Sequence, residues 1–376
     1  MSESDELNPT SWQAQAPSPS ILISILNWNG WRDTVECLES VRRLDYPNHI
    51  AVVVDNGSSD DSAGRLRAWA AKNLPESQEL VECTTEEAAQ GREHAREEAA
   101  DARAPRRRLV LVRSHDNLGF AGGNNVAIQY ALQRPHPADY VFLLNNDATV
   151  AEDCLTRLVE VAAKSGAGIV GAVMKERANG RVQFAGLAGS LPLLRLFFRP
   201  LLKFRDPAPD PADTFYSSFS ACGGAMMIHR DVLESVRRRT GHFLDDDLFL
   251  YFEEVDFCGR ARQLGYDCVM AAQAVVYHGE ASSSGGRYNP IAYYYTSRNR
   301  TRVARHLLPW PLRLLFHGFN IPQCLGRVAV NLARGRRDAA KAIFRGALDG
   351  YRGVSGKWKD HDQAFRNKSA GYSARA

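Results

Sequence analysis

The chain has 376 residues, of which 44% are hydrophobic and 24% are charged. This length and composition are enough to bury a large core, and they exclude a disordered or low-complexity chain. No apolar run approaches the roughly 18 to 20 residues that span a bilayer, so no transmembrane helix is expected. Residues 1–20 lack the basic and then apolar pattern of a signal peptide, and we predict a flexible tail there.

The cysteines and the distribution of charge bear on where the protein works. The seven cysteines lack Cys-x-x-Cys spacing, which argues against a disulfide framework or a zinc site and predicts a reduced, cytoplasmic setting. The net charge is +4, but the region from Arg298 onward contains 17 Lys plus Arg and 4 Asp, which leaves a net −9 for the remainder. This asymmetry predicts contact with an anionic membrane surface or a lipid phosphate, and no nucleic-acid partner is expected.

Strands and helices alternate through the first half of the chain. Short apolar runs that end in polar residues predict strands buried on both faces. The segments between them show helical spacing, and the alternation predicts an α/β fold in which helices cover both faces of a mostly parallel sheet. The predicted strands are residues 21–26, 50–54, 109–112, 140–144 and 168–174, and the predicted helices are residues 31–44, 62–72, 151–164 and a segment that ends near 132.

Two segments interrupt this alternation. Residues 75–108 are rich in Glu, Arg and Ala without an apolar stripe, and we predict a solvated, charged helical insertion, with a functional surface as the less favoured alternative. Residues 181–213 are rich in Leu, Phe and Pro and predict a hairpin or a mobile loop. Beyond them we predict a close backbone approach at 222–226, helices at 229–237 and up to about 264, and two short strands at 268–271 and 274–277.

The C-terminal region, residues 286–376, has a different composition, with adjacent tyrosines, many arginines and apolar stretches interrupted by proline. A basic amphipathic helix is predicted over residues 322–348, and such helices lie on anionic membrane surfaces. The alternative is an ordinary helical cap whose arginine face is solvated, but the scarcity of acidic residues favours the membrane. The residues predicted near its apolar face are Leu325, Val328, Leu332 and Ala339.

Polar side chains follow each of the first four predicted strands. In an open parallel sheet the carboxyl ends of the strands share one edge, where ligands collect. Asn145, Asn146 and Asp147 would therefore lie near Asp55, whose carboxylate could accept a hydrogen bond from a base imide. The alternative is that Asn and Asp only turn the chain and cap the next helix, but their recurrence at one edge favours a nucleotide pocket. Further candidates, after the first strand, are Asn27 and Asn29.

A glycine-rich segment follows the third of these strands. Residues 117–125 contain three glycines that would let backbone N–H groups approach phosphate oxygens, helped by the N-terminus of the following helix. The first βα turn has no Gly-x-Gly-x-x-Gly, and no Walker-type loop is present, so neither a dinucleotide site nor a P-loop is predicted. The candidates for contacting the nucleotide here are Asn117, Gly119, Gly122, Asn124 and Asn125.

Five motifs follow one another in an order that one enzyme family shows. They are Val54-Asp-Asn-Gly-Ser-Ser-Asp60, Asn117-Leu-Gly-Phe-Ala-Gly-Gly-Asn-Asn125, Leu144-Asn-Asn-Asp-Ala148, Phe252-Glu-Glu-Val-Asp256 and Val276-Tyr-His278. On these motifs the sequence resembles the family 2 glycosyltransferases of the GT-A fold, particularly their bacterial rhamnosyltransferase-like branch. The resemblance implies a GT-A domain over residues 21–285, followed by the C-terminal helical region.

The resemblance implies a metal site at the end of the fourth strand. Asn145, Asn146 and Asp147 stand where the family has its Asp-x-Asp motif, so Asp147 would be the carboxylate ligand of Mg²⁺ or Mn²⁺. His278 matches the second metal ligand, and imidazole favours Mn²⁺ over Mg²⁺. Asn145 replaces the more usual Asp and removes one negative charge, which predicts weaker metal binding.

The same resemblance implies a catalytic base at the start of a helix. Glu254 matches the residue that takes the proton of the acceptor hydroxyl while its oxygen attacks the anomeric carbon. The usual residue there is Asp, and Glu is longer by one methylene. The alternative is that these acids only favour the positive end of the helix dipole. The residues predicted to contact or orient the acceptor are Glu253, Asp256, Gly223, Gly224 and Arg298.

The reaction implied by the resemblance is an inverting transfer of L-rhamnose from dTDP-L-rhamnose to a hydroxyl of a lipid-linked or growing cell-surface polysaccharide. The expected location is the inner face of the cell membrane, as a peripheral protein. Alternatives are a different UDP- or dTDP-sugar donor and a non-catalytic nucleotide-sugar or glycan-binding scaffold of the same fold. A nucleotidyltransferase would need a Gly-rich basic loop that residues 27–30 do not supply. Residues 181–220 and 293–299 are expected to shape the pocket.

Overall fold

A mixed β-sheet forms the centre of the protein. The computed structural model describes residues 18–74, 80–89, 109–134, 136–187, 214–279 and 289–361. The strands within these ranges are β1 (Ile21–Asn27), β2 (His49–Asn56), β3 (Val81–Thr84), β4 (Leu109–Ser114), β5 (Tyr140–Asn145), β6 (Ala148–Val150), β7 (Ile169–Glu176), β8 (Val182–Phe184), β9 (Phe215–Ser218), β10 (Ala225–His229) and β11 (Cys268–His278).

The strand directions bring the carboxyl ends of the parallel strands to one edge of the sheet. The order is β3-β4-β2-β1-β5-β10-β7-β11-β6, with β8 beside β7 and β9 beside β11. From β3 to β5 all neighbours are parallel. β10 is antiparallel to both β5 and β7, and β11 is parallel to β7. The predicted mostly parallel sheet is therefore confirmed, and its second half adds the antiparallel strands β6, β8, β9 and β10.

Helices cover both faces of this sheet, because alternate residues of its strands point to opposite sides. Ile23 belongs to one buried apolar cluster with Leu38 and Leu155, whereas its neighbour Leu22 belongs to a second cluster with Ile128. The helices are α1 (Trp31–Val41), α2 (Ser62–Asn73), α3 (Thr85–Ala89), α4 (Gly119–Gln133), α5 (Cys154–Ser165), α6 (Arg230–Thr240), α7 (Glu253–Gln263), α8 (Pro290–Leu307), α9 (Trp310–Ala333) and α10 (Arg337–Arg352).

Two predictions about the N-terminal half are wrong in part. Residues 80–89 were predicted as solvated insertion, but β3 pairs with β4 and buries Val81 and Cys83, because Val and Cys alternate there with polar residues. The rest of residues 75–108 lies outside the described residues. The tail predicted over residues 1–20 is ordered at its end, where Ser20 donates its backbone N–H and its hydroxyl to Asp139. Residues 1–17 lie outside the described residues.

The sequence also misplaced some boundaries in the second half. β6 was not predicted, since residues 148–150 are too few to show periodicity. The two short strands predicted at 268–271 and 274–277 are one strand, β11, with an irregular register between Ala271 and Val275. Of the hairpin or loop predicted over residues 181–213, the structure describes β8, and residues 188–213 lie outside the described part. All seven cysteines are free, as predicted.

The C-terminal region packs onto the sheet domain through α8. Gly346 and Gly350 of α10 let that helix approach α8 closely, because a Cβ at Gly346 would overlap the carbonyl oxygen of Tyr294. The single helix predicted over residues 322–348 is wrong: α9 continues through Pro322 and ends at Ala333, and α10 begins after a turn at Gly335. Among the described residues, no helix is long and apolar enough to cross a membrane.

Candidate active site

Asp147 and His278 are brought together by the pairing of β6 with β11. β6 begins immediately after Asp147 and runs antiparallel to the end of β11, with His278 opposite Ala148. The Nε2 atom of His278 lies 3.0 Å from Oδ1 of Asp147, and the Asp147 side chain is buried. Burial disfavours the charged imidazole, but the hydrogen bond to Asp147 and the charge of that carboxylate outweigh it and raise the pKa of His278. The two predicted metal ligands are thus in contact.

The donor set at this position suits a divalent cation. A carboxylate and an imidazole are ligands that Mn²⁺ accepts, and two protein ligands leave coordination positions for phosphate oxygens. The pKa of Asp33 is raised mainly by burial and secondly by the charge of Asp147, so the surroundings hold further negative charge. Arg177 balances part of it by donating to the backbone oxygen of Asp147 at 3.2 Å and pairing with Glu36 at 2.6 Å. The chemistry of these residues therefore fits a bound metal.

The end of β1 and the end of β2 form a hydrogen-bonded polar cluster. Asn27 donates to Oδ1 of Asp55 at 2.9 Å and accepts from Thr34 at 2.8 Å, and Asn27 and Asp55 are opposite each other in the strand register. Ser58 donates to the same Asp55 oxygen and accepts from the backbone N–H of Asn29. One Asp55 oxygen is held by these donors, which orients the carboxylate at the sheet edge.

The amides at the end of β5 are positioned by close packing. Asn145 follows Leu144 into the strand end, and its backbone N–H donates to the oxygen of Gly224 at 3.1 Å. A Cβ at Gly224 would overlap the Asn145 amide, so only glycine allows this approach. Asn146 donates from Nδ2 to the hydroxyl of Thr34 at 3.1 Å, which ties the loop before Asp147 to α1. The close backbone approach predicted within residues 222–226 is confirmed at Gly224.

The acidic start of α7 lies across this glycine pair from Asn145. A Cβ at Gly223 would lie 3.4 Å from Cβ of Glu254, and half-buried Glu254 has a pKa raised by burial. Burial, and after it the charge of Glu254, raises the pKa of buried Glu253 well above its ordinary value. Burial, Glu254 and, more weakly, Asp147 raise the pKa of Cys222 to about 12. The charges of Glu254 and Asp147 therefore reach the same small region.

The loop before Glu253 has an unusual backbone. Phe249, Tyr251 and Phe252 have φ angles of 62°, 70° and 80°, in the left-handed region that non-glycine residues rarely adopt. The buried Asn299 of α8 holds it by donating from Nδ2 to the carbonyl oxygens of Leu248, Leu250 and Tyr251 at 2.8–2.9 Å. The conformation of this loop fixes where α7 begins and therefore where Glu254 points.

Arg298 supports the same loop and does not reach an acceptor. Its side chain is 2% exposed, and it donates from Nη2 to the oxygens of Asp247 and Leu248 at 3.0 and 2.8 Å. The guanidinium also lies 4.9 Å from the ring centroid of Tyr295. Its predicted contact with the acceptor is therefore wrong, because all its polar atoms are directed into the protein.

The segment 117–125 differs from the predicted glycine-rich loop, because α4 already begins at Gly119. Asn117 accepts from the N–H of Gly119, and a Cβ at Gly119 would overlap the backbone oxygen of Phe249. Asn124 is buried, where it accepts from Ser24 and donates to Phe120. Asn125 donates to Leu244, and Gly122 lines a separate surface cavity of about 270 Å³ with Asn125 and Asp246. The side chains of Asn124 and Asn125 are thus held by contacts within the protein.

Asp256 also turns away from the site. Its two oxygens are held by Arg260 at 2.7 Å and by His306 at 2.8 Å, which joins α7 to α8. Potential ligand atoms of Asp256, His306 and Asp245 lie within 4.8 Å of one another, but Arg302 already pairs with Asp245 at 2.7 Å. Both carboxylates of this group are neutralised by arginine, so Asp147 and His278 fit a cation better.

Comparison with known proteins identifies the family. A family model described as glycosyltransferase-like family 2 matches residues 47–300. The chain belongs to this glycosyltransferase family. This family 2 glycosyltransferase is 23% identical over 257 residues to the low-salt glycan biosynthesis hexosyltransferase Agl10 of Haloferax volcanii, an alignment that covers 66% of the chain and 78% of Agl10. It is also 29% identical over 198 residues to the uncharacterized protein y4gI of Sinorhizobium fredii. This alignment covers 49% of the chain and 19% of y4gI.

The fold of this glycosyltransferase is similar to that of a solved mannosyltransferase. The mannosyltransferase PcManGT of Pyrobaculum calidifontis, in complex with GDP-Man and Mn²⁺, superposes with a TM-score of 0.52 at 16% identity, covering 89% of this chain and 87% of that one. The GT-A fold expected from the motifs is confirmed. The motifs did not indicate Asn299 or Thr34, whose partners are backbone atoms and amides that no short pattern identifies.

Proposed function

We propose that the chain is an inverting glycosyltransferase that moves L-rhamnose from dTDP-L-rhamnose to a hydroxyl of a lipid-linked or growing cell-surface polysaccharide. An inverting transferase is supported by the contact of Asp147 with His278 at the strand ends. Glu254, the proposed base, lies beside Gly223 in the same region. The rhamnosyl donor is supported by the likeness of the motifs to the rhamnosyltransferase-like branch. The expected location is peripheral, at the cytoplasmic face of the membrane.

In the proposed reaction Glu254 takes the proton of the acceptor hydroxyl. The acceptor oxygen forms its bond to the anomeric carbon from the face opposite the diphosphate, and the bond from that carbon to the phosphate oxygen breaks with its electron pair. The raised pKa of Glu254 makes its carboxylate a stronger base than an exposed one. Asp147 and His278 would hold Mn²⁺ or Mg²⁺, which offsets the charge of the diphosphate leaving group.

The polar cluster of β1 and β2 would bind the nucleotide. Asp55 has one oxygen held by Asn27 and Ser58, and its other oxygen is then available to a base imide N–H. Asn29 is fixed beside it, because its side-chain oxygen accepts from the backbone N–H groups of Ser59 and Asp60. Asn117, Asn145 and Asn146 complete the proposed nucleotide-sugar site. Because the Asn145 amide next to Gly224 is neutral, the site carries one negative charge fewer than it would with Asp at this position.

A different donor is the second candidate. Agl10 is named a hexosyltransferase, and PcManGT was solved with GDP-Man, so UDP-, dTDP- and GDP-hexoses belong in the same test. A non-catalytic scaffold is the remaining alternative. Melting temperatures of the protein with each nucleotide sugar, with and without Mn²⁺, identify the donor, and release of the nucleotide in the presence of an acceptor separates a transferase from a scaffold. Stabilisation by another sugar nucleotide and not by dTDP-L-rhamnose would overturn the rhamnosyl assignment.

A further inference from the structure

The outward face of α9 is apolar along its whole length. Its large exposed side chains are all hydrophobic, and Trp310 and Leu314 are 69% and 63% exposed. Each of its described residues that carries a charge or an amide is at least half-buried, including Arg313, Arg327 and Asn320. Exposed apolar patches of this kind mark interaction sites. The large exposed residues of this face are Trp310, Leu314, Leu315, Ile321, Leu325, Val330 and Leu332.

An apolar groove continues this face towards α10. It has a volume of about 240 Å³ and lies between the two helices, where Ile321 and Leu325 face Phe344 and Leu348. Phe344 is itself 54% exposed at the rim of the groove. The apolar surface therefore includes a concave part.

Basic side chains flank this apolar face. Arg334 and Arg337 are exposed at the turn between α9 and α10, and Lys341 is exposed along α10, where the neighbouring Arg345 pairs with Asp349 at 2.9 Å. Arg305 is exposed at the other end, just before α9 begins. Cationic side chains near an anionic lipid surface strengthen binding by electrostatic attraction. The combination of an apolar face and flanking cations has the chemistry of an interfacial helix.

We infer that the α9 face, with the α9–α10 groove, docks the protein onto an anionic phospholipid bilayer. A second copy of the chain is a poorer occupant, because two such faces would bring their arginine and lysine rows together. A transmembrane insertion is also disfavoured, since no described helix is long and apolar enough to cross a bilayer. The helix therefore lies in the interface, with its apolar side among the acyl chains and the cations at the headgroups.

This inference rests on the proposed function in one respect: the bilayer is where the enzyme would meet a lipid-linked acceptor. α10 packs on α8, and α8 carries Asn299, which holds the loop before Glu254. Docking through α9 therefore keeps the reaction centre attached to the membrane through one packed set of helices.

The test is flotation of the full chain with phosphatidylcholine vesicles that contain or lack phosphatidylglycerol, without any nucleotide sugar. We expect binding to the anionic vesicles that weakens as salt is raised. The double variant Leu314→Glu/Leu315→Glu should bind about tenfold more weakly, since it places two charges among the acyl chains. Arg334→Glu/Lys341→Glu should lose binding to anionic vesicles in particular. All four side chains are exposed, so these variants should keep the melting temperature of the parent protein.

Matched controls use exposed residues on other elements. Val182→Glu, at a side chain that is 51% exposed on β8, and Lys72→Glu on α2 should bind vesicles like the parent protein. Equal flotation of the Leu314→Glu/Leu315→Glu variant and the parent would overturn the inference. So would a dimer, measured by light scattering, that Leu314→Glu dissociates while vesicles remain unbound. Donor binding, measured separately, reports on the proposed transferase, so that either proposal can fail while the other stands.

Discussion

The two halves of the candidate site are held by different means. At the sheet edge, Asp55, Asp147 and His278 take their places from strand register: Asp55 and His278 belong to the last residues of β2 and β11, and Asp147 lies between β5 and β6. Glu254 instead is positioned by the loop before it, in which three non-glycine residues have left-handed backbone conformations. The buried Asn299 of α8 holds this loop by donating to the loop's carbonyl oxygens. Substitutions at the sheet edge should therefore affect nucleotide and metal binding, whereas substitutions around the loop should affect turnover.

The largest effect on turnover is expected for Glu254→Gln. The amide cannot accept the proton of the acceptor hydroxyl, so kcat should fall by about 10²- to 10⁴-fold while nucleotide-sugar binding is kept. Single-turnover kinetics and calorimetric titration of the donor measure the two quantities. Glu152→Gln, at an exposed carboxylate away from α7, is the matched control. Turnover of Glu254→Gln at the parent rate would rule out the proposed base.

The next largest effect is expected for His278→Ala, and it should appear in binding. Removal of one of two proposed metal ligands should weaken the Mn²⁺-dependent part of nucleotide-sugar affinity by about 10- to 100-fold. Titration with and without Mn²⁺ isolates this part. His136→Ala, at an exposed histidine between α4 and β5, provides the control. An unchanged difference between the two titrations would exclude His278 from the metal site.

Asn299→Ser should lower turnover by about tenfold through the loop before Glu254. The shorter side chain cannot donate to three carbonyl oxygens, and each buried acceptor left without a donor costs about 1–3 kcal/mol. The kcat per donor-binding site, counted by titration so that loss of folded protein is corrected for, should fall while donor affinity stays constant. Asn320→Ser is matched, because Asn320 is also a buried amide on a C-terminal helix but contacts Tyr351. Equal kinetic losses in both variants would show a general effect of helix packing.

The pH dependence of kcat/KM should identify Glu254 as the titrating base. Burial raises the pKa of Glu254 above its ordinary value, so its active, deprotonated form should appear at a higher pH than for an exposed glutamate. Activity should therefore rise with pH through this raised pKa. Glu254→Asp, which moves the carboxylate by one methylene, should shift the acid limb of the profile. A limb that is the same in both proteins would assign the titration to another group.

The smallest effect on turnover is expected for Asp256→Asn, which should act on stability. Burial opposes ionisation of Asp256, but the hydrogen bond from His306 and the charge of Arg260 outweigh it and lower the pKa. A lowered pKa means that the pair stabilises the fold above the ordinary carboxyl pKa of about 3.9 and that this stability is lost as the pH falls through the lowered value. The variant should lose about 3–5 kcal/mol at neutral pH, measured by denaturant unfolding, and show a weaker acid dependence. An unchanged acid profile would contradict this assignment.

The sequence predicted the sheet edge well and the loop poorly, for a physical reason. Strand ends and their polar residues are local patterns, so Asp55, Asp147 and the alternation around them can be read from adjacent residues. The pairing of β6 with β11 cannot, because three residues carry no periodic signal. Arg298 was misassigned because a sequence does not tell whether an arginine contacts a ligand or donates to backbone carbonyls. The left-handed residues at 249–252 were also hidden, since none of them is glycine.

The contact between Asp147 and His278 has a consequence for the order in which the protein becomes competent during synthesis. The proposed nucleotide cluster of Asn27, Asp55 and Ser58 lies at the ends of the first two strands, which leave the ribosome early. The proposed metal pair needs β11 to dock beside β6, and the loop before Glu254 needs Asn299 of α8. Such non-local contacts form late, since a long stretch of chain must first be ordered. The activity should therefore arise only after the C-terminal helices have packed, when the last residues that position the site are in place.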